Sequence, residues 1–154
     1  MGNGTSDDNV VLRTALYDVR VPRRPHIPKD EGGHIVIYPH TEVSEFFELP
    51  YGEAVAIACA VQQVTRGLFA FMREIGHPLY TVNVQDNGNW AFLRGEAKSF
   101  HLHVYGRAID EVHQEYGRAL SFHGQSSRLW DTFEPLSRDD VLKILEYGEQ
   151  RANI

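Results

Sequence analysis

The chain has one cysteine in 154 residues, so no disulfide can form within it and cross-links cannot substitute for a packed core. Basic charge is also in deficit. Fifteen Lys and Arg face 21 Asp and Glu, and the resulting net charge of -6 gives no electrostatic reason to hold a long nucleic acid. No apolar run approaches 18 residues and no signal-peptide pattern opens the chain, so the expectation is a cytoplasmic protein with no membrane partner. Chemistry-bearing motifs are missing as well. There is no GxxxxGK[ST] or GxGxxG turn for phosphates, no GxSxG elbow, and no HExxH or CxxC metal pattern, so any phosphate chemistry must use another device.

What is present suits one globular domain. A chain of this length buries about 68 to 70% of its unfolded surface, and its 42% hydrophobic content is ordinary for a folded protein. The polar start, residues 1–9, is expected to be a disordered leader, and residues 10–154 the domain. "VVLRTALYDVRV" reads as a first strand or a helix-to-strand entry, and the prolines of "VPRRPHIPKDEGG" impose an extended connection. "HIVIYP" is a β-branched strand stopped by Pro39. From about 51 to 75, Ala54, Ile57, Ala58, Val61, Thr65, Leu68, Met72 and Ile75 recur at spacings of three and four, which predicts a long core-facing helix capped by Gly76. "LYTVNVQD" and "WAFL" read as strands around a "DNGN" turn. Residues 108–136 carry no clear pattern. Ser137 and Asp140 then open a closing helix with Val141, Ile144 and Leu145 on its buried side. The sum is an α+β fold: an antiparallel sheet with the long helix and the C-terminal helix packed on one face.

One stretch carries most of the functional signal. In "SFHLHVYGR" the period of two puts His101 and His103 on one strand face and Phe100, Leu102 and Val104 on the other. Paired imidazoles of this kind suit a catalytic pair, a metal site completed by His34, or two polar residues on a wet face. Cys59, inside the apolar "VAIACAV", reads as a small buried hydrophobe, and His26, His40, His77, His113 and His123 lie in loop-like surroundings with no assigned role.

Together, "GGHIVIYPH", the long helix, "YTVNV" and "HLHVYGR" resemble the histidine-triad family of nucleotide hydrolases and transferases over residues 15–107. That family ends its catalytic strand in three alternating histidines followed by Pro-Arg or Gly-Arg. Matching Arg107 to the trailing arginine places Ser99, His101 and His103 on the triad positions, with serine replacing the first histidine; the less favoured register starts at His101 and ends at Tyr105. The resemblance implies that His101 attacks the α-phosphorus to form a covalent nucleotidyl-imidazole, that His103 donates to the phosphate oxygens, and that His34 orients the pair. It also implies substrate contacts from Asn83 and Ser99, a small nucleotide as partner, no cofactor, and compatibility with a homodimer. A catalytically weak nucleotide-binding module is the alternative that the substituted triad position suggests.

Overall fold

Thr14 closes the first hairpin: its Oγ1 accepts from the N–H groups of Leu16 and Tyr17 and donates to the Tyr17 carbonyl, turning Val10–Arg13 (β1) back onto Tyr17–Arg20 (β2). The computed structural model describes residues 7–124 and 127–150, so the first six residues of the expected leader lie outside the described residues. His34–Pro39 (β3), Tyr51–Glu74 (α1), Leu79–Gln85 (β4), Asn89–Arg94 (α2), Leu102–Ala108 (β5) and Arg138–Gln150 (α3) complete the elements, with short 3-10 turns between them. The five strands form one sheet in the order β1-β2-β3-β5-β4, every neighbouring pair antiparallel. This is the α+β architecture expected from the sequence.

The core lies between one sheet face and α1. Ile35 and Ile37 from β3 and Val104 from β5 meet Ile57, Ala60, Val64, Leu68 and Phe71 from α1, and α3 adds Val141, Ile144 and Leu145. The buried stripe is rotated slightly from the one predicted: Ala58 is exposed and Ala60 and Val64 take the core positions. Length and apolar content would let α1 cross a bilayer, contrary to the reading of its sequence, but its apolar face is spent on the sheet and α3. Gly76 ends the helix as expected. Its φ of 93° lets His77 N–H reach the Met72 carbonyl at 2.9 Å while Gly76 N–H reaches that of Arg73. At α3, Ser137 N–H donates to Asp140 Oδ2 and Asp140 N–H donates back to Ser137 Oγ, the predicted reciprocal cap.

Other expectations fail: Cys59, read as a small buried hydrophobe, is exposed on α1, and the entry segment folds back on itself as the β1–β2 hairpin. "WAFL" is part of the short helix α2, because Gly88 has φ -59° and its N–H is capped by Asp86 Oδ1 at 2.8 Å, which starts a helical turn instead of a hairpin. The left-handed residue is Gly95, where that helix stops.

A close backbone approach sets the register that the site depends on. Gly32 and Gly33 have φ of 132° and 78°, and Gly106 on β5 packs against Gly32 so tightly that a Cβ on Gly106 would fall 2.3 Å from the Gly32 carbonyl oxygen. Gly106 N–H donates to the Gly33 carbonyl, and the next residue, His34, enters β3 opposite Tyr105. Gly106→Ala is therefore expected to destabilise the fold by about 1 to 3 kcal/mol or more. Urea unfolding with an unchanged m-value would show it, and a midpoint equal to wild type would contradict the contact.

Candidate active site

The face of β5 turned away from α1 carries His103, Tyr105 and Arg107 at alternate positions, with His101 just ahead of the strand on the same side. Cross-strand pairing brings His34 to this face opposite Tyr105, so its ring lies diagonal to His103. A fourth imidazole arrives from the proline-bounded loop: His26 packs 4.7 Å from His34 and 5.8 Å from Tyr105 between ring centroids.

Hydrogen bonds fix which nitrogen of each ring carries its proton. The backbone N–H of His26 can only donate, and it points at His34 Nδ1, 3.2 Å away. His34 must then hold its hydrogen on Nε2, which lies 2.9 Å from His103 Nδ1. His103 accepts there and keeps its own hydrogen on Nε2. At His101 the arrangement is reversed: Nδ1 sits 2.9 Å from the Ser99 carbonyl, an obligate acceptor, so the hydrogen is on Nδ1 and the Nε2 lone pair is free.

Burial keeps all of these rings neutral. It is the largest cause of the downward shift at each, taking His103 to about 2 with help from the His101 and His26 rings, and His26 to about 4 with help from Arg24. His34 is pushed well below the ordinary range by burial and then by His103, His26 and His101. His101 is also lowered, its burial partly offset by the Ser99 carbonyl. Its ring is held flat on Tyr38, with centroids 4.5 Å apart and planes 9° apart, and the Arg20 guanidinium covers that tyrosine at 4.5 Å.

The histidines open onto a cavity of about 310 Å³. Of the histidines, His26, His101 and His103 line it, together with Asn87, Trp90 and Arg94 from the α2 region. Trp90 also belongs to an aromatic cluster with His26, Phe122 and Trp130.

No protein-family model matches the sequence, and no curated protein does. Solved structures do. A histidine triad protein from Sinorhizobium meliloti superposes with a TM-score of 0.61 at 15% identity, covering 96% of this chain and 96% of that one. The chain has the histidine-triad fold. A zinc-bound histidine triad family protein from Mycobacterium smegmatis gives 0.53 at 19% identity over 94% of this chain and 86% of that one. A uridylyltransferase gives 0.54 at 15% identity, covering 92% of this chain and 41% of that one.

Within this histidine-triad fold, His34, His101 and His103 are brought together, and Ser99 lines the cavity through an exposed side chain while its carbonyl holds His101. Asn83 is placed elsewhere. It stands opposite Tyr105 on β4, where its Oδ1 accepts from buried Arg107 at 3.2 Å, and the amide that lines the cavity is Asn87. Arg107 is itself spent on Glu111, at 2.7 Å. Sequence reasoning also missed His26 and Trp90 as site residues, and reached Tyr105 only through the less favoured register. Strand alternation beyond His103 points to Tyr105, whereas nothing local to "PHIP" announces His26.

Of the three readings of the histidine pair, the metal one meets an obstacle. His26, His34 and His103 do offer nitrogens within 4.8 Å of one another. Both nitrogens of His34 are already engaged, however, one with a backbone N–H and the other with His103, so ligation would have to break a hydrogen bond in the network. The alternative set of His34, His101 and His103 fares no better, because the same His34 is required.

Proposed function

We propose that this cavity hydrolyses or transfers nucleoside monophosphates from small substrates such as dinucleoside polyphosphates, nucleoside phosphoramidates or nucleotide sugars. The observation that carries the reading is the opposite protonation of two adjacent rings: a free lone pair on His101 Nε2 beside an N–H on His103 Nε2. A nucleophile and a hydrogen-bond donor 4.7 Å apart between ring centroids suit attack on a phosphorus whose oxygens gain charge.

In the first step the His101 Nε2–P bond forms and the bond from phosphorus to the leaving group breaks, with the electron pair departing on that group. A polyphosphate leaves as an anion; an amine takes its proton from solvent. The ring becomes cationic, and its Nδ1–H goes on donating to the Ser99 carbonyl. Water or an acceptor hydroxyl then attacks the same phosphorus, the N–P bond breaks, and the monophosphate or transferred product leaves as the attacking group loses its proton to solvent. The uridylyltransferase that shares the fold favours this class of chemistry.

The test is incubation of the full chain with a dinucleoside polyphosphate and with a nucleoside phosphoramidate, following monophosphate release and trapping the protein by rapid acid-free denaturation for mass analysis. The expected result is turnover with a nucleotidyl adduct on His101. Saturable binding with no release from either substrate would favour the binding module, and activity abolished by chelators would overturn the metal-free route.

A further inference from the structure

Serine occupies the position where the triad pattern has its first imidazole, yet a third imidazole reaches the cavity from outside the strand. His26 is held by its loop. Pro25, Ile27 and Pro28 on either side are buried, and Lys29 N–H is tied to the Glu134 carbonyl at 2.8 Å. Its ring is oriented by a relay. Gln85 Nε2 donates to Asn87 Oδ1, and Asn87 Nδ2 donates to Tyr105 Oη, each at 2.7 Å. A phenol has one hydrogen, so Tyr105 directs it to its other neighbour, His26 Nδ1, also at 2.7 Å. His26 therefore carries its hydrogen on Nε2. That nitrogen has no partner among the described residues and is not enclosed, and the residue lines the same cavity as His101 and His103.

Building on the proposed reaction, we propose that His26 Nε2–H is a second donor to the phosphate oxygens, supplying in space the imidazole that Ser99 lacks in sequence. Tyr105 and Asn87 are its positioning residues. The cavity then presents one nucleophilic nitrogen, on His101, and two N–H donors, on His103 and His26, each fixed by a separate hydrogen-bonded chain. The ligand this constellation takes is a tetrahedral phosphoryl group with at least two free oxygens. Neutral donors suit it, because they stabilise growing negative charge without a proton leaving the enzyme. His26 is kept neutral at pH 7 by its burial.

Variants at this position keep the backbone N–H that orients His34, so they isolate the side chain. His26→Ala is expected to lower the rate of nucleotidyl-His101 formation by about 10²-fold, the scale of one lost transition-state donor, with KM changed far less. Glutamine places an amide N–H near the position of the imidazole Nε2, so His26→Gln should recover much of the rate. Tyr105→Phe should lower kcat while nitrogen-detected NMR shows the His26 hydrogen no longer confined to Nε2. A second readout needs no turnover: inorganic phosphate or tungstate titrated onto the wild type should bind about 10-fold more tightly than to His26→Ala. If wild type releases no monophosphate but binds the anion through His26, the reaction fails and the donor assignment stands. If wild type turns over and His26→Ala matches it in both rate and anion affinity, the donor assignment is overturned and the reaction stands.

Discussion

Replacing His101 with alanine is expected to slow nucleotide turnover by on the order of 10⁴-fold or more, the scale on which loss of a covalent nucleophile acts. The size follows from what the residue does. Its lone pair makes the bond that replaces the leaving group, and no neighbouring side chain has a lone pair available at that point: the Nε2 atoms of His103 and His26 both carry hydrogens. Binding should change little, since the bond exists only along the reaction path. The comparison is His34→Ala, which removes the ring that fixes the His103 proton and should cost about 10²-fold, within the range for a misassigned donor. His101 precedes β5 and bonds only to an exposed carbonyl, so the variant should fold, which circular dichroism can confirm. His101→Ala with a rate near wild type would remove the covalent route.

The second large effect concerns acid. The folded pKa values of His34 and His103 are lowered by burial, whereas in the unfolded chain both titrate near 6.5. Below pH 6.5 the unfolded state takes up protons that the native state refuses, so stability is full above 6.5 and declines as the pH falls toward the folded values. Each such ring contributes a slope of about 1.4 kcal/mol per pH unit, and two give roughly 4 kcal/mol between pH 6.5 and 5, a large share of the 5 to 15 kcal/mol that holds a typical domain. Asp18 does not compete in this window. Asp18 is held at about 2, with its burial outweighed by hydrogen bonds from His40, Arg13 and Arg20, so its loss begins only near its unfolded value of about 4. Urea midpoints measured from pH 7.5 to 5 should fall steeply, and His103→Gln should flatten the trend. A wild-type midpoint independent of pH over that range would contradict buried neutral imidazoles.

Both effects trace to the strand that was most legible in the sequence. Alternation alone placed His101 and His103 on one face, and the glycine pair before "HIVIYP" fits the observed approach of Gly32 to Gly106 that seats His34 beside them. Helix α1 was legible to within one residue at its C-terminal end, because apolar spacing and a terminal glycine are local signals. The other wall of the cavity was not. Asn and Gly at 87–89 serve a hairpin or a helix start equally well, and the Asp86 side chain decides between them only through its own conformation. Asn83 and Asn87 illustrate the same limit: both are amides near one end of β4, and only the register against β5 sets the first beside Arg107, while the turn after the strand carries the second to the cavity. His26 was invisible for a different reason. Its partners Tyr105 and His34 lie 79 and 8 residues away, and their meeting depends on how the proline-bounded loop closes over the sheet.

The main-chain amide of residue 26 has a genetic consequence. Because that group belongs to every amino acid except proline, the proton arrangement on the 34–103 pair survives any other exchange at position 26, even one that removes the side-chain donor. Single codon changes there weaken one donor while the relay beneath it stays set, and proline is the one replacement that would remove the amide and the donor together.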